Sequence, residues 1–375
     1  MPLNVSYTLT IDGAPASADI IAAIREIEVE DHAEMADMMR LRMAVAVKEN
    51  GSGWTVLDES LFERLTNLRL SVTVGSNNSI PLIDAYVIDT NTEFAYQHGS
   101  STLEVVAMDP TVLMNLEEKV RPWPDMADSD IASTIYGVYG FSVQVDQTQP
   151  TRQEVDRTVM QRGTDIQFLR ELARRNGYES YVEFNTDTGQ VEGHFHLPRV
   201  DQTHQGVLSV NMGAATNVNS FQSKNDMIRP VTAVANNLQI LDQSDQNSDV
   251  SDSALTNLGD STTTTSDRPR RVLISNTGLS ETGELQTYAQ AVVDRSVWAI
   301  RAEGELSTVT YGNILRAKRP VNVRGAGRQF SGTYYVEKVL HRISDEGYTQ
   351  KFSLRRNALG VTGQEEFVED NALPS

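Results

Sequence analysis

The sequence predicts a mainly β protein with an α+β insert: two β-rich domains with a small mixed domain between them. Three observations lead to this class. Segments that alternate apolar and polar residues at period 2 cluster before residue 112 and return after residue 207. Capped, helix-period segments concentrate between residues 113 and 200. No apolar run approaches the ~20 residues needed to span a bilayer, so no membrane insertion is expected.

The first domain spans residues 1–112. Asn4 to Ile11 alternates as a strand and closes on Asp12-Gly13, and Arg25 to Glu30 alternates as a second strand. Asp31 can cap a short helix that sets Met35, Met38 and Met39 on one side, a stripe suited to core. Leu68–Val74, Leu82–Ile88 and Leu103–Ala107 supply three further strands.

The middle domain spans residues 113–200. Arg121-Pro122-Trp123-Pro124 punctuates the chain. Asp128 can cap a helix carrying Ile131, Ile135 and Val138 and closed by Gly140. Thr164 and Gln167 form a capping box before a helix with Phe168, Leu169, Leu172 and Ala173 on its apolar face, ended by Gly177. Strands follow at Tyr181–Phe184 and Val191–Leu197.

The second β domain spans residues 201–357. Ser209–Met212 and Ile228–Ile240 are strand candidates. Residues 242–271 read as a flexible acidic loop, because six acids and no base fall between residues 242 and 267 with little apolar surface to bury. Ser280 caps the longest helix, with Leu285, Tyr288, Ala289, Val292 and Val293 inward and an end near Gly304. Val321–Arg324 adds a strand, with Gly325-Ala326-Gly327 as a tight connection. Thr333–Ile343, the turn Ser344–Gly347 and Tyr348–Arg355 then make an antiparallel hairpin. Residues 358–375 are an acidic tail.

The chain has no cysteine, which excludes disulfides, thiolate metal sites and cysteine nucleophiles. Its N-terminus lacks the features of a signal peptide, so synthesis in the cytoplasm is expected. The net charge of −19 is uneven. Residues 1–130 carry 8 basic and 22 acidic residues, whereas residues 311–356 carry 10 basic and 3 acidic ones. That asymmetry argues against a simple nucleic-acid binder and suits a part meeting acidic and basic partners on different faces.

Candidate chemistry is sparse. His194 and His196 share a strand face, with His204 nearby in sequence, but no carboxylate framework accompanies them; no metal and no cofactor is expected. No carboxylate pair stands in a glycosidase-like context and no G-x-S-x-G elbow is present. The basic block of Arg316, Lys318, Arg319, Arg324, Arg328, Lys338, Arg342, Lys351, Arg355 and Arg356 has two readings: a sheet with a solvated charged face, or a docking surface for acidic neighbours. Glu365, Glu366, Glu369 and Asp370 of the tail are candidate docking residues for a partner.

Three passages carry a family resemblance: Asp128 to Gly140, Gln161 to Tyr178, and Phe330 through His341-Arg342-Ile343-Ser344 to Asn357. In this order and spacing they resemble the late-control D-type tail hub proteins of contractile-tailed bacteriophages and the hub portion of VgrG spike proteins. The resemblance implies two tube-type, β-barrel-like domains per chain and a homotrimer with pseudo-sixfold symmetry. It implies a non-enzymatic baseplate hub in the virion tail, assembled in the host cytoplasm. The implied partners are a tail tube protein above, a separate trimeric spike below, baseplate wedge or peripheral hub proteins, and tape measure protein or DNA in the lumen. A phage-derived injection particle is the alternative setting, and a cell-wall-degrading or carbohydrate-binding tail protein is the alternative class.

Overall fold

The computed structural model describes residues 5–365 and 367, apart from residues 49–50, 52, 76–78, 98, 149–157, 186–187, 239–244, 264–267 and 276–281. The first part comprises β1 (Val5–Ile11), α1 (Ala18–Ala23), β2 (Ile24–His32), β3 (Met38–Ala44), β4 (Asn67–Val74), β5 (Ile80–Glu93) and β6 (Thr102–Met108). Period-2 patterning sets the inward face: Leu68, Leu70, Val72 and Val74 of β4 are buried, while Asn67, Arg69, Ser71 and Thr73 between them are not.

The middle part holds β7 (Glu118–Trp123), α2 (Asp128–Val138), β8 (Ser142–Val145), β9 (Val159–Thr164), α3 (Asp165–Asn176), β10 (Glu179–Asn185) and β11 (Gln190–His196). The capping box forms between Thr164 and Gln167, and Gly177 closes α3 in the left-handed region. The last part holds β12 (Val207–Ser209), β13 (Ser220–Asn225), β14 (Val231–Leu238), β15 (Asp245–Val250), β16 (Arg270–Ile274), α4 (Thr282–Ser296), β17 (Ile300–Ser307), β18 (Pro320–Arg324), β19 (Gly332–Ser344) and β20 (Gly347–Arg356).

Strands of the first and last parts form one thirteen-stranded sheet: the twelve that follow and a two-residue strand, Ala14–Pro15, hairpinned onto β1. Its first portion runs β1-β4-β5-β6-β3-β2 and its last runs β12-β18-β19-β20-β17-β13. Numbered by chain order within each portion, both read first, fourth, fifth, sixth, third, second. The arrangement is therefore repeated, with one departure: β1 is antiparallel to β4, whereas β12 is parallel to β18. Each portion has its own buried cluster, around Leu41, Leu70 and Val105 in the first and around Val321, Tyr334 and Phe352 in the last.

The long strand β19 joins them. Its residues Gly332–Tyr335 pair with β18 and its residues Lys338–Ser344 pair with β2, while β20 lies along the opposite edge. A bulge at Val336/Lys338 marks the change of partner. The middle part packs α2 and α3 around a third cluster with Phe168, Leu169 and Phe195. A smaller sheet, β15-β14-β16, is covered by α4.

Several expectations are corrected. Met38 and Met39 lie on strand β3, not on a helix with Met35, and Met39, Leu41 and Met43 are buried at period 2. Asp31 does not cap a helix, because its carboxylate turns inward onto cations. The helix α4 ends at Ser296; Gly304 lies within β17, whose Ile300, Ala302 and Leu306 are buried, and Ser280 falls outside the described residues. The strand expected from Ile228 begins at Val231, after Pro230, which has no N–H for a ladder, and Ile228 is exposed. Asp128 is the first residue of α2 rather than its cap; Arg175 and Asn176 hold its carboxylate. The acidic segment 242–271 is partly built in: Asp245–Val250 is a strand paired with β14, and Leu255 and Leu258 are buried against Trp298.

Candidate functional site

The strongest concentration of charge is internal, where the three parts meet. Residues Arg316 to Arg319 cross the junction just before β18. Lys318, with a positive φ of 67° and 2% exposure, donates from Nζ to Asp31 Oδ1 at 2.7 Å and Asp37 Oδ2 at 2.8 Å. Its ammonium also sits 5.2 Å from the centroid of the Tyr181 ring. Arg316 donates from Nε to Asp31 Oδ2 at 2.8 Å, from Nη1 to the Pro81 carbonyl at 2.7 Å and from Nη2 to Glu183 Oε1 at 3.3 Å. Arg319 Nη2 reaches the same Glu183 oxygen at 2.9 Å. Asp37 in turn accepts the His32 N–H at 2.8 Å, and its own N–H donates to Asp109 Oδ2 at 2.7 Å.

Burial sets the electrostatics. Asp37 is pushed up to about 8 by burial and by the Asp31 and Asp109 carboxylates, against the pull of Lys318. Burial would raise Asp31 too, but Lys318 and Arg316 hold it well below the usual range. Glu183 is likewise held down to about 2, as Arg319, Arg316 and Lys318 outweigh its burial. Three carboxyls of β2, its following turn and the end of β6 thus face one ammonium and one guanidinium, and the site relieves the excess by retaining a proton.

A polar cavity of about 320 Å³ adjoins this network, lined in part by Tyr181, Glu192, His194, His196 and Arg319. His194 and His196 do share a face of β11. Tyr181 stacks on His194 at 4.4 Å between centroids. His196 Nδ1 lies 2.7 Å from the Leu197 carbonyl and must donate to it, leaving Nε2 as acceptor toward His194 Nδ1 at 3.2 Å. Burial lowers both imidazoles, His194 to about 3, so the pair is neutral at pH 7. The nearest carboxylate, Glu192 Oε2, is 3.7 Å from His194 Nε2. Among the described residues no three His, Asp or Glu side chains form a metal-binding group.

The basic block therefore does not form one surface. Arg316, Lys318 and Arg319 belong to the internal network. Arg355 Nη1 donates to Glu34 at 2.6 Å and Nη2 to Glu179, under the rings of Trp298 and Tyr335. Arg356 is fully buried and donates to the carbonyls of Leu258, Ser331 and Gly360. Arg324 bonds Ser209 Oγ at 2.8 Å and the Phe367 carbonyl at 2.9 Å. Arg328 is exposed. Lys338 and Arg342 pair across β19 and β2 with Glu30 and Glu26, so the acidic neighbour is partly the chain's own first portion. Glu365 closes a local turn by accepting the N–H groups of Thr362 and Gly363, while Glu366, Glu369 and Asp370 fall outside the described residues.

Sequence reasoning missed the acidic half of the network. Asp31 gave a signal: it follows Ile27 and Val29 at period 2, an acid on an apolar face. Asp37, Asp109 and Glu183 gave none.

Comparison with known proteins bears on the fold. The 43 kDa tail protein of prophage MuSo2 from Shewanella oneidensis superposes with a TM-score of 0.65 at 16% identity, covering 95% of this chain and 100% of that one. A tail protein from Neisseria meningitidis gives 0.64 at 10% identity, covering 94% and 97%. The Escherichia coli c3393 protein, a type VI secretion component described as similar to T4 tail proteins gp27 and gp5, gives 0.59 at 11%, covering 93% and 76%. The fold is thus that of phage tail and type VI secretion proteins, mainly β with few helices. No curated protein matches the sequence. A family model described as the Alg8 N-terminal domain matches residues 3–345.

Proposed function

This chain belongs to the Alg8 N-terminal domain family, and we propose that it serves as the structural hub of a contractile tail baseplate, joining a hexameric tail tube to a trimeric spike. The observation that carries the reading is the repeated strand order of β1–β6 and of β12, β13 and β17–β20. One chain supplies two similar β units, tube-type domains over residues 1–112 and 201–357, and three chains supply six. A homotrimer can then seat beneath sixfold symmetry while matching a threefold spike. Its edge strands β1 and β13 have a single long partner each and are placed to pair with neighbouring subunits.

The partners are a tail tube protein, a spike protein, surrounding baseplate proteins, and tape measure protein or DNA within the lumen. A phage-derived injection particle would use the same hub. The role is non-enzymatic. Native mass measurement tests it: the expected species is three times the 41.5 kDa chain mass. A monomer that cleaves peptidoglycan would move the protein to the cell-wall-degrading class.

A further inference from the structure

A second cavity, of about 210 Å³, lies between α3, α4 and the start of β10. Four arginines line it: Arg170 and Arg174 from α3, Arg295 from α4 and Arg355 from β20. The acids beside them are already engaged. Glu34 and Glu179 are bonded to Arg355. Asp294 accepts from the Ser253 hydroxyl at 2.7 Å, the Ala254 N–H at 2.8 Å and the Gln290 amide at 2.9 Å. Arg295 spends Nη1 on the Arg174 carbonyl, a neutral acceptor. Nε and Nη2 of Arg170 and Nε of Arg355 are buried and have no acceptor among the described residues.

Buried guanidinium N–H groups without an acceptor are costly, and their charge adds to the cost. Water filling the cavity would satisfy the donors but not the charge: four guanidinium groups line it against the three carboxylates of Glu34, Glu179 and Asp294, so the lining keeps a positive excess. Arg295 has its ionisation weakened, by burial first, with the Arg174 charge adding to it and Glu34 and Asp294 only partly opposing it. A compact ion with several acceptor oxygens meets both needs, since guanidinium forks match oxyanions in geometry as well as charge.

We propose that this cavity binds a small multivalent oxyanion of the phosphate class, held by Arg170, Arg174 and Arg295 at the seam between α3 and α4. The inference does not depend on the hub reading. Calorimetric titration of the full chain with inorganic phosphate, against sodium chloride at equal ionic strength, tests it. Saturable phosphate binding is expected, with affinity reduced about tenfold in R174Q, where one charge-assisted contact is lost. R170Q is expected to weaken binding further, while R271Q, at a distant exposed pair with Asp249, leaves it unchanged. Because Arg174 is exposed, R174Q keeps the test open even if R170Q fails to fold. No binding beyond the chloride control, or equal binding by wild type and R174Q, overturns the proposal.

Discussion

Lys318 Nζ lies 2.7 Å from Asp31 Oδ1 although 287 residues separate them, and both side chains are 1% exposed. This pair closes the junction between the first and last portions of the sheet. Its strength comes from the same burial that makes it vulnerable. Removing Lys318 leaves Asp37 without a cation and Asp31 with Arg316 alone, in a medium that solvates charge poorly.

Lys318→Met keeps most of the apolar stem and deletes the charge. It is expected to lower unfolding stability by about 3–5 kcal/mol, because Asp31 and Asp37 lose their shared cation. Lys338→Ala, which removes a half-exposed pair with Glu30, is expected to cost under about 1 kcal/mol. Chemical denaturation of both variants checks the contrast; equal costs would rule out the junction as the stronger contact.

The pH dependence follows from Asp37 and Glu183. A carboxyl raised to about 8 in the folded protein and ordinary in the unfolded one makes the folded state hold the extra proton. Stability from this group therefore falls as pH rises from about 4 to about 8. Glu183, depressed to about 2, acts oppositely: its contribution is present above the ordinary glutamate range and is lost as pH falls from about 4.5 toward 2. Thermal unfolding is expected to show a declining melting temperature between about pH 7 and pH 8.5, above the range where the buried His194 and His341, both lowered to about 3, add stability as pH rises. Asp37→Asn should flatten that decline, and an unchanged slope in the variant would remove Asp37 as its source.

Gly193 on β11 faces the Tyr136 ring, and a Cβ there would stand 2.4 Å from ring carbons. Gly193→Ala must displace a fully buried tyrosine whose hydroxyl bonds the Ser180 hydroxyl at 2.9 Å and the His194 carbonyl at 2.8 Å. The expected cost is about 1–3 kcal/mol or more. Pairing it with Tyr136→Phe tests the cause: if the ring is the obstacle, losing only the hydroxyl does not relieve the strain.

Arg356 spends its donors on three carbonyls beneath the Tyr334 ring. Arg356→Lys retains the charge but not the planar fork, and is expected to cost about 2–4 kcal/mol by leaving buried carbonyls unpaired. Gly332→Ala, whose Cβ would meet Arg356 Nη2 at 2.4 Å in a backbone with φ of 129°, should be destabilising for the same site. Near-wild-type melting for both variants would count against a structural role for the guanidinium.

Where local pattern decides structure, the sequence was legible. The hairpin of β19 and β20 follows from alternation about Ser344–Gly347, and α3 from a capping box and a left-handed glycine. Legibility stopped where distant contacts decide. Met35, Met38 and Met39 fit a helical stripe and a strand start equally well, and only pairing of β3 with β2 and β6 selects the strand. Arg316, Lys318 and Arg319 look like a solvated run because nothing local reveals the carboxylates of Asp31, Asp37 and Glu183 folded over them. The paired histidines share a face as alternation requires, yet the Tyr181 ring stacked on His194 is a cross-strand neighbour that spacing alone does not supply.

The double pairing of β19 also bears on how the chain is made. As synthesis proceeds, Ile27 has no neighbour on its outer side until Ile343 has left the ribosome, so the edge of β2 waits through most of translation. Such late, long-range closure slows folding and leaves a sticky ladder open to other nascent chains. The row of Glu26, Glu28 and Glu30 along that edge meets its cations, Lys338 and Arg342, only when β19 pairs with it.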